Sequence, residues 1–311
     1  MLSSAMGWEM PDWEPLTGWA PVLACLRECP DAAWRAAALP LSQMAALTYT
    51  STRGSYFNAS SANESVEGWE RVQTADPPAG MRAIFFEQHA SSRGVVAFRG
   101  TDLDRTTPSG QADACADRLL FGESGEFPAF CEQFTTSTLD YYGQAVDFVS
   151  GVMKLRPNTS LLFTGHSLGA ALAMMVSAAS PAKLAVRGTL TPAVGFGTPS
   201  WLQPLKRRAG FSPSPAAAGA MFAVADAYDP VEAEAVLGHG LVGQVCRWGM
   251  HKPAPPSCKA CFTTLRRGGG RIGAICEACF RERHVFAHYI ADVRGPRPEC
   301  VNASDAKLPA G

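Results

Sequence analysis

The stretch LLFTGHSLGAALAMM at residues 161–175 joins a short apolar run to a long, alanine-rich apolar run through the motif GHSLG. This G-x-S-x-G pattern is typical of a sharp turn from a strand into a helix, where a side chain at either glycine would clash with neighbouring backbone. The turn strains the central serine and lifts its hydroxyl above the edge of the sheet. The motif therefore favours a nucleophilic Ser167, while a buried structural serine at a helix start stays the alternative.

The remaining composition is that of a globular protein: of 311 residues, 47% are hydrophobic and 18% charged, with a formal net charge of −1. A near-neutral chain without a basic block gives nucleic-acid binding no electrostatic support. No run reaches the roughly 18–20 apolar residues that a membrane helix needs, and the N-terminus lacks a signal-peptide pattern. We therefore expect a cytoplasmic protein, or one peripheral to membranes, with no nucleic-acid partner and no transmembrane segment.

Strand-like and helix-like runs alternate along the chain. Two β-rich runs separated by a polar turn predict a hairpin over 81–101, and a strand precedes the helix that starts at Leu168. The other predicted elements are helices over 41–50, 137–156 and 283–293 and strands within 190–200 and 220–231. The alternation predicts a mostly parallel sheet covered by helices on both faces.

The predicted domain organisation is an arm followed by one large domain. Residues 1–40 are rich in Trp and Pro and predict an irregular N-terminal arm, and residues 41–311 form the main domain. Residues 102–134 have no clean hydrophobic period and predict a long loop with short helical pieces. Residues 212–219 predict a linker or loop, and a cysteine-rich insert spans about 252–283.

Five motifs in a fixed order resemble the class 3 (fungal lipase-like) α/β-hydrolase family. They are FRGT at 98–101, GHSLGAALA at 165–173, FGTP at 196–199, YDPV at 228–231 and HVFAHYI at 284–290. Each is short, but the ordered set is specific. The resemblance implies an α/β-hydrolase fold, hydrolysis of lipid esters at a membrane or droplet surface, and no cofactor for catalysis.

Carried over residue by residue, the resemblance makes Ser167 the nucleophile, Asp229 the acid and His284 the base. The alternative acid is Asp226, and an Asp-Pro turn alone would also explain Asp229. His288 is the alternative base because residues four apart share a helix face. Only His284 has a tyrosine at the fifth following position.

The same resemblance assigns the oxyanion hole to the backbone N–H groups of Leu168 and Thr101, with the Thr101 hydroxyl as a further donor. Arg99 is expected to support the turn rather than touch substrate. Residues 102–134 fall where the family carries its lid, so they are expected to cover the acyl pocket and open at a lipid surface. The alternative is a peripheral packing element.

Two C-x2-C pairs, Cys258/Cys261 and Cys276/Cys279, flank 14 residues that predict two short strands around a triple-glycine turn. Such a β-hairpin would bring four thiolates together as a closed structural zinc site. Two disulfides or free thiols are the alternatives, and a reducing cell argues against disulfides.

Other features would suit a secreted chain. The total of ten cysteines is even, and sequons occur at Asn58, Asn63, Asn158 and Asn302. Short sequons arise by chance, and they are glycosylated only if the chain enters the secretory pathway.

Taken together, the sequence predicts a serine lipase or esterase acting on acylglycerol-type lipids through an acyl-enzyme. Within enzymes, a phospholipase A1, a galactolipase or a small-ester hydrolase are alternatives. A different class of protein is a non-catalytic, lipase-like interaction protein that uses the cysteine-rich insert for docking.

Overall fold

The computed structural model describes residues 18–49, 65–121, 127–183, 190–210, 212–267 and 274–309. Parts of three predicted segments lie outside these ranges: residues 1–17 of the arm, 122–126 of the lid-like segment and 268–273 of the insert. The sequons at Asn58 and Asn63 also lie outside the described residues.

The described strands form one eight-stranded sheet in which spatial order follows chain order. The strands are β1 (Glu70–Ala75), β2 (Ala83–Gln88), β3 (Arg93–Phe98), β4 (Ser160–His166), β5 (Ala193–Phe196), β6 (Met221–Asp226), β7 (Gln244–Trp248) and β8 (Glu299–Asn302). Strands β3 to β7 are parallel, and the pairings at both edges are antiparallel. This confirms the predicted α/β-hydrolase-like, mostly parallel sheet.

Helices cover both faces of the sheet. They are α1 (Ala20–Glu28), α2 (Asp31–Leu47), α3 (Pro108–Phe121), α4 (Thr136–Leu139), α5 (Tyr141–Leu155), α6 (Leu168–Lys183), α7 (Leu202–Ala209), α8 (Pro215–Gly219), α9 (Pro230–Leu237), α10 (Pro256–Arg266), α11 (Glu277–Arg283) and α12 (Phe286–Val293). Among these described helices, none combines the length and apolarity needed to cross a membrane.

Strand β3 shows why the sheet needs two covering layers. Val96 and Phe98 point into the core that contains α5 and α6, whereas Val95 and Ala97 point into the core that contains α2 and α12. Successive side chains of a strand face opposite sides, so an apolar run buries both faces only if both are covered. Three of the candidate site residues follow strand ends: Thr101 after β3, Ser167 after β4 and Asp229 after β6.

The predicted hairpin is present, because β2 and β3 pair antiparallel from Ala83–Phe98 to Gln88–Arg93. A short 3₁₀ turn, His89–Ser91, joins the strands. The helical run predicted at 137–156 is divided into α4 and α5 at Asp140, whose side chain caps the start of α5. The predicted linker over 212–219 contains the short helix α8.

The described part of the predicted arm is helical rather than irregular. Helix α2 begins at Asp31, ten residues before the predicted helix, and continues through Pro40. A proline inside a helix removes one backbone hydrogen bond, but burial of Trp34, Leu41 and Met44 against the sheet offsets that loss.

The cysteine-rich insert is also helical. Helix α10 replaces the first predicted strand, whereas the second, after the triple glycine, lies mostly in residues 268–273, which are outside the described part. A 3₁₀ turn, Ala274–Cys276, then leads into α11. The insert packs around its own small apolar core, which includes Tyr228 and Phe262. The first strand of the predicted β-hairpin is therefore wrong, and its turn and most of its second strand lie outside the described residues.

All ten cysteines lie in described residues, and all are paired. The disulfides are Cys25–Cys29, Cys115–Cys131, Cys246–Cys300, Cys258–Cys279 and Cys261–Cys276. The predicted zinc site is corrected accordingly: the two C-x2-C pairs cross-link α10 to the start and first turn of α11. A sulfur in a disulfide carries no thiolate charge, so the four sulfurs are not zinc ligands in this arrangement.

Candidate active site

Ser167 occupies the turn between β4 and α6 with a backbone φ of 55°. A non-glycine residue at positive φ is strained, as the motif predicts for a nucleophile elbow. A Cβ added to Gly169 would lie 2.1 Å from the carbonyl oxygen of Phe98, and one on Gly165 would lie 2.5 Å from the carbonyl oxygen of Gly169. Both glycines are thus required by close backbone approach, and Ser167 is half-buried at the base of a cleft.

The structure brings the three candidate catalytic side chains into one hydrogen-bonded chain. His284 Nε2 lies 2.9 Å from Ser167 Oγ, and His284 Nδ1 lies 2.8 Å from Asp229 Oδ2. Asp229 and His284 are buried. A carboxylate accepts only, so Nδ1 carries the proton and Nε2 is left to accept the serine proton. Serine, imidazole and carboxylate in this order are the arrangement expected of a nucleophile, a base and an orienting acid.

The Asp229 carboxylate is fixed by several donors. Its Oδ1 accepts backbone N–H groups at the start of α9, from Val231 at 2.8 Å and from Glu232 at 3.3 Å. Its Oδ2 accepts the Tyr289 hydroxyl in addition to His284. Sequence reasoning used Tyr289 only as a marker of the base and missed this contact.

Gly197 is a second residue whose role sequence reasoning missed. It follows β5 in the FGTP motif and has a φ of 56°. A Cβ there would lie 3.0 Å from both Asp229 Oδ2 and the Cε1 atom of His284. Any larger residue would press on the acid–base pair, so the glycine between a strand end and Thr-Pro was the available signal.

The alternative base and acid form a separate cluster. His288 Nε2 lies 3.4 Å from Asp226 Oδ2 and 3.2 Å from Asp292 Oδ2, and Arg283 Nη1 lies 3.2 Å from the same nitrogen. The hydrogen bond to Asp226 is the main cause of the raised pKa of His288. The three ligand-type side chains are close enough to share a metal, but the Arg283 guanidinium already supplies positive charge among them.

The candidate oxyanion donors lie beside the nucleophile. Leu168 begins α6, and Thr101 follows Gly100, where an added Cβ would come within 3.2 Å of Ser167 Cβ. Both residues line the cleft above the serine. The Thr101 hydroxyl donates to Asp117 Oδ2 at 2.8 Å, so its backbone N–H is the better candidate for an oxyanion.

The cleft above Ser167 has a volume of about 1260 Å³. One wall comes from the segment after β3 and from α3, with Leu103, Arg118 and Phe121. The opposite wall comes from α9 and α11, with Val231 and Phe280. The lining includes both apolar and charged side chains, which suits a molecule with an apolar chain and a polar end.

Helix α3, in the predicted lid-like segment, is anchored from below. Asp113 is buried and accepts from Arg99 at 2.5 Å, from the backbone N–H of Asp102 at 2.7 Å and from the Tyr141 hydroxyl at 2.6 Å. The Cys115–Cys131 disulfide ties the same helix to the 3₁₀ turn Ala129–Gln133. In this structure α3 is a wall of the cleft, and Arg99 supports that wall.

A mostly parallel sheet with a serine elbow after a central strand, followed in the chain by an acid and a histidine that both reach the serine, defines the α/β-hydrolase class. Within that class, residues 95–204 match the family model described as lipase (class 3). The match covers β3, the elbow and β5, and it confirms the resemblance to class 3 lipases.

Known relatives give the same class of protein. The chain is 27% identical over 210 residues to "Putative lipase ATG15" of Candida glabrata, covering 58% of this chain and 38% of that protein. It is 29% identical over 179 residues to the protein of the same name in Eremothecium gossypii, covering 50% and 31%. The chain thus spans about a third of the length of these relatives.

Solved structures of fungal lipases are similar at low sequence identity. Lipase II from Rhizopus niveus is 14% identical with a TM-score of 0.46, covering 70% of this chain and 81% of that one. The lipase from Rhizopus microsporus var. chinensis is 16% identical with a TM-score of 0.44, covering 72% and 76%.

Proposed function

We propose that this protein is a serine lipase or esterase that hydrolyses carboxylic esters of lipids through an acyl-enzyme. The observation that carries the proposal is the chain of hydrogen bonds from Ser167 Oγ through the His284 imidazole to Asp229. A buried structural serine would need no imidazole on its hydroxyl and no carboxylate behind that imidazole. The matches to lipases support the same class of reaction.

In the proposed mechanism, Ser167 Oγ attacks the ester carbonyl carbon while its proton moves to His284 Nε2. The oxyanion that forms accepts hydrogen bonds from the backbone N–H groups of Leu168 and Thr101. His284 then gives its proton to the departing alcohol oxygen, which leaves an acyl-serine. A water molecule, deprotonated by His284, hydrolyses that ester and restores the serine. Asp229 stabilises the imidazolium without taking its proton.

The proposed substrate is an acylglycerol-type lipid, and the mixed lining of the cleft supports a molecule with one apolar and one polar end. The acyl chain would lie against Leu103, Phe121 and Phe280, with the polar part near Arg118. A phospholipase A1 or galactolipase would use the same chemistry on another headgroup. Profiling hydrolysis against glycerolipids with several headgroups distinguishes these enzymes.

A fluorophosphonate probe tests the proposed function directly. We expect covalent labelling of the wild type at Ser167 and none in Ser167→Ala, because only an activated serine attacks phosphorus at a useful rate. Ser91→Ala, an exposed serine in the β2–β3 connection, is the matched control and should label normally. A wild type that stays unlabelled in every lipid and detergent condition would instead support the non-catalytic interaction protein.

We also propose that the chain folds in an oxidising compartment. The sequence alone indicated a cytoplasmic protein or one peripheral to membranes, but pairing of all ten cysteines supports secretory-type folding, because cytosolic thiols are kept reduced. The sequons at Asn158 and Asn302 are exposed, so both asparagines are accessible to glycosylation.

Peptide mapping without reductant tests the compartment. We expect five disulfide-linked peptide pairs in protein isolated from its native host, and no bound zinc by elemental analysis. A glycosidase-sensitive mass that decreases in Asn158→Gln would agree with passage through the secretory pathway. Ten free thiols, or one zinc ion per chain bound by Cys258 and its neighbours, would contradict the proposal.

A further inference from the structure

A buried histidine next to the nucleophile has no part in the mechanism above. His166 precedes Ser167, and its side chain is almost fully enclosed. Its Nε2 lies 2.9 Å from the backbone carbonyl oxygen of His284, and its Nδ1 lies 2.9 Å from the Tyr49 hydroxyl. A carbonyl oxygen only accepts, so Nε2 carries the ring proton and Nδ1 accepts from the tyrosine. Both ring nitrogens of a neutral imidazole are thereby satisfied.

The environment keeps this imidazole neutral. Burial, followed by the nearby His284, lowers the pKa of His166 well below its usual value. The two rings lie with their centroids 4.7 Å apart, and Phe286 and Tyr289 enclose His166 further. A neutral His166 does not repel the imidazolium that forms on His284 during the reaction.

Tyr49 connects His166 to the backbone next to the candidate oxyanion donor Thr101. It lies just after α2, is buried, and forms a hydrogen bond with the backbone of Gly100. A Cβ on Gly100 would lie 2.1 Å from the Tyr49 hydroxyl oxygen and 2.4 Å from the carbonyl oxygen of His166. The tyrosine therefore contacts both Gly100, which follows β3, and His166 of the GHSLG elbow.

The carbonyl group that accepts from His166 is that of His284, in the turn between α11 and α12. His284 lies between α11 and α12, and the backbone bonding of α12 begins with the Val285 carbonyl, which accepts from the His288 N–H. The His284 carbonyl thus precedes the helix and is held by His166 instead. This bond crosses 118 positions of sequence and joins the nucleophile's neighbour to the base's own backbone.

We propose that His166, anchored by Tyr49, is a positioning residue. It sets the distance between His284 and Ser167, and it holds both residues in place relative to the backbone that follows β3 and carries the Thr101 N–H. The inference rests on the proposed hydrolase function. Without the tether, the turn at 284–285 is free to shift, and the base leaves its 2.9 Å contact with the serine hydroxyl. A misplacement of about 1 Å can cost on the order of 100-fold in rate.

Three substitutions at the pair test the proposal. His166→Phe fills the site but donates no hydrogen bond, so we expect kcat to decrease by about 10- to 100-fold with little change in KM. His166→Gln can still reach the His284 carbonyl with an amide N–H and should recover most of that loss. Tyr49→Phe removes only the anchoring hydroxyl and should decrease kcat by a smaller factor than His166→Phe.

The matched control is Tyr142→Phe, which deletes another buried tyrosine hydroxyl on α5, away from the cleft, and should leave kcat unchanged. Thermal melts and the second-order rate of fluorophosphonate labelling separate folding from positioning, because labelling does not need a bound lipid. Equal losses in His166→Phe and His166→Gln, or a wild-type kcat in His166→Phe, would overturn the proposal. An unlabelled wild type would mean that the proposed function itself fails, and this inference with it.

Discussion

His284→Ala is expected to lower kcat for ester hydrolysis by about 10⁴-fold or more, while His288→Ala should keep kcat near the wild-type value. The reason is the hydrogen bonding of each ring. His284 joins Ser167 Oγ to Asp229, whereas His288 contacts Asp226, Asp292 and Arg283. Removing the first imidazole leaves the serine proton without an acceptor, because water cannot replace a base held between two groups at hydrogen-bond distance.

The measurement is steady-state hydrolysis of a soluble short-chain ester, supported by the rate of fluorophosphonate labelling. Both variants remove an imidazole from the same part of the chain, so His288→Ala controls for local loosening of α12. Circular dichroism and thermal melts show whether each variant folds. A large loss of kcat in His288→Ala with retention in His284→Ala would show that the assignment of the base is reversed.

The sequence predicted the parts of the site that depend on local backbone geometry. The GHSLG motif requires two glycines because a Cβ added to either Gly165 or Gly169 would come within 2.5 Å of backbone atoms, and such a constraint leaves a recognisable pattern. The tyrosine five residues after His284 favoured that histidine over His288. It does so for a physical reason, since the hydroxyl of Tyr289 donates to the same Asp229 carboxylate as the base.

Contacts between distant segments were not predictable from local patterns. The hydrogen bond between His166 and the His284 carbonyl joins residues 118 positions apart, and no sequence motif around either residue predicts it. Pairing of Cys258 with Cys279, rather than four thiolates around zinc, is likewise decided by how α10 lies against α11. A zinc site and a pair of disulfides can both use the same two C-x2-C motifs, so only the fold distinguishes them.

Secondary structure was mispredicted where tertiary packing outweighed local preference. Helix α2 continues through Pro40 because its apolar face lies on the sheet. The insert was expected to form strands, yet Phe262 and Leu265 lie on one face of α10 and pack with the disulfides. The edge strand β8 is short and mostly exposed, which leaves no apolar run for a sequence pattern to detect.

The disulfides have a position that bears on catalysis. The Cys115–Cys131 bond fixes α3 on one wall of the cleft, and the two bonds of the insert fix α11 on the other. The sulfur of Cys279 lies 3.3 Å from the carbonyl oxygen of Tyr228, the residue before the candidate acid. Since α11 ends at Arg283, the insert braces the segments that present both Asp229 and His284.

Asp229→Asn is expected to lower kcat by about 10⁴-fold with little change in KM, because the amide NH₂ cannot accept from Tyr289 and His284 as Oδ2 does. Oδ1 of the new side chain can still cap α9, so folding should be retained. The NH₂ group would then face the Tyr289 hydroxyl and His284 Nδ1, which forces the imidazole proton onto Nε2, where it blocks acceptance from Ser167.

Asp226→Asn makes the same chemical change three residues earlier, beside His288, and should retain near wild-type kcat. Measuring kcat and KM for both variants on one ester decides the assignment: a greater loss in Asp226→Asn than in Asp229→Asn would show that the acid lies on the other carboxylate.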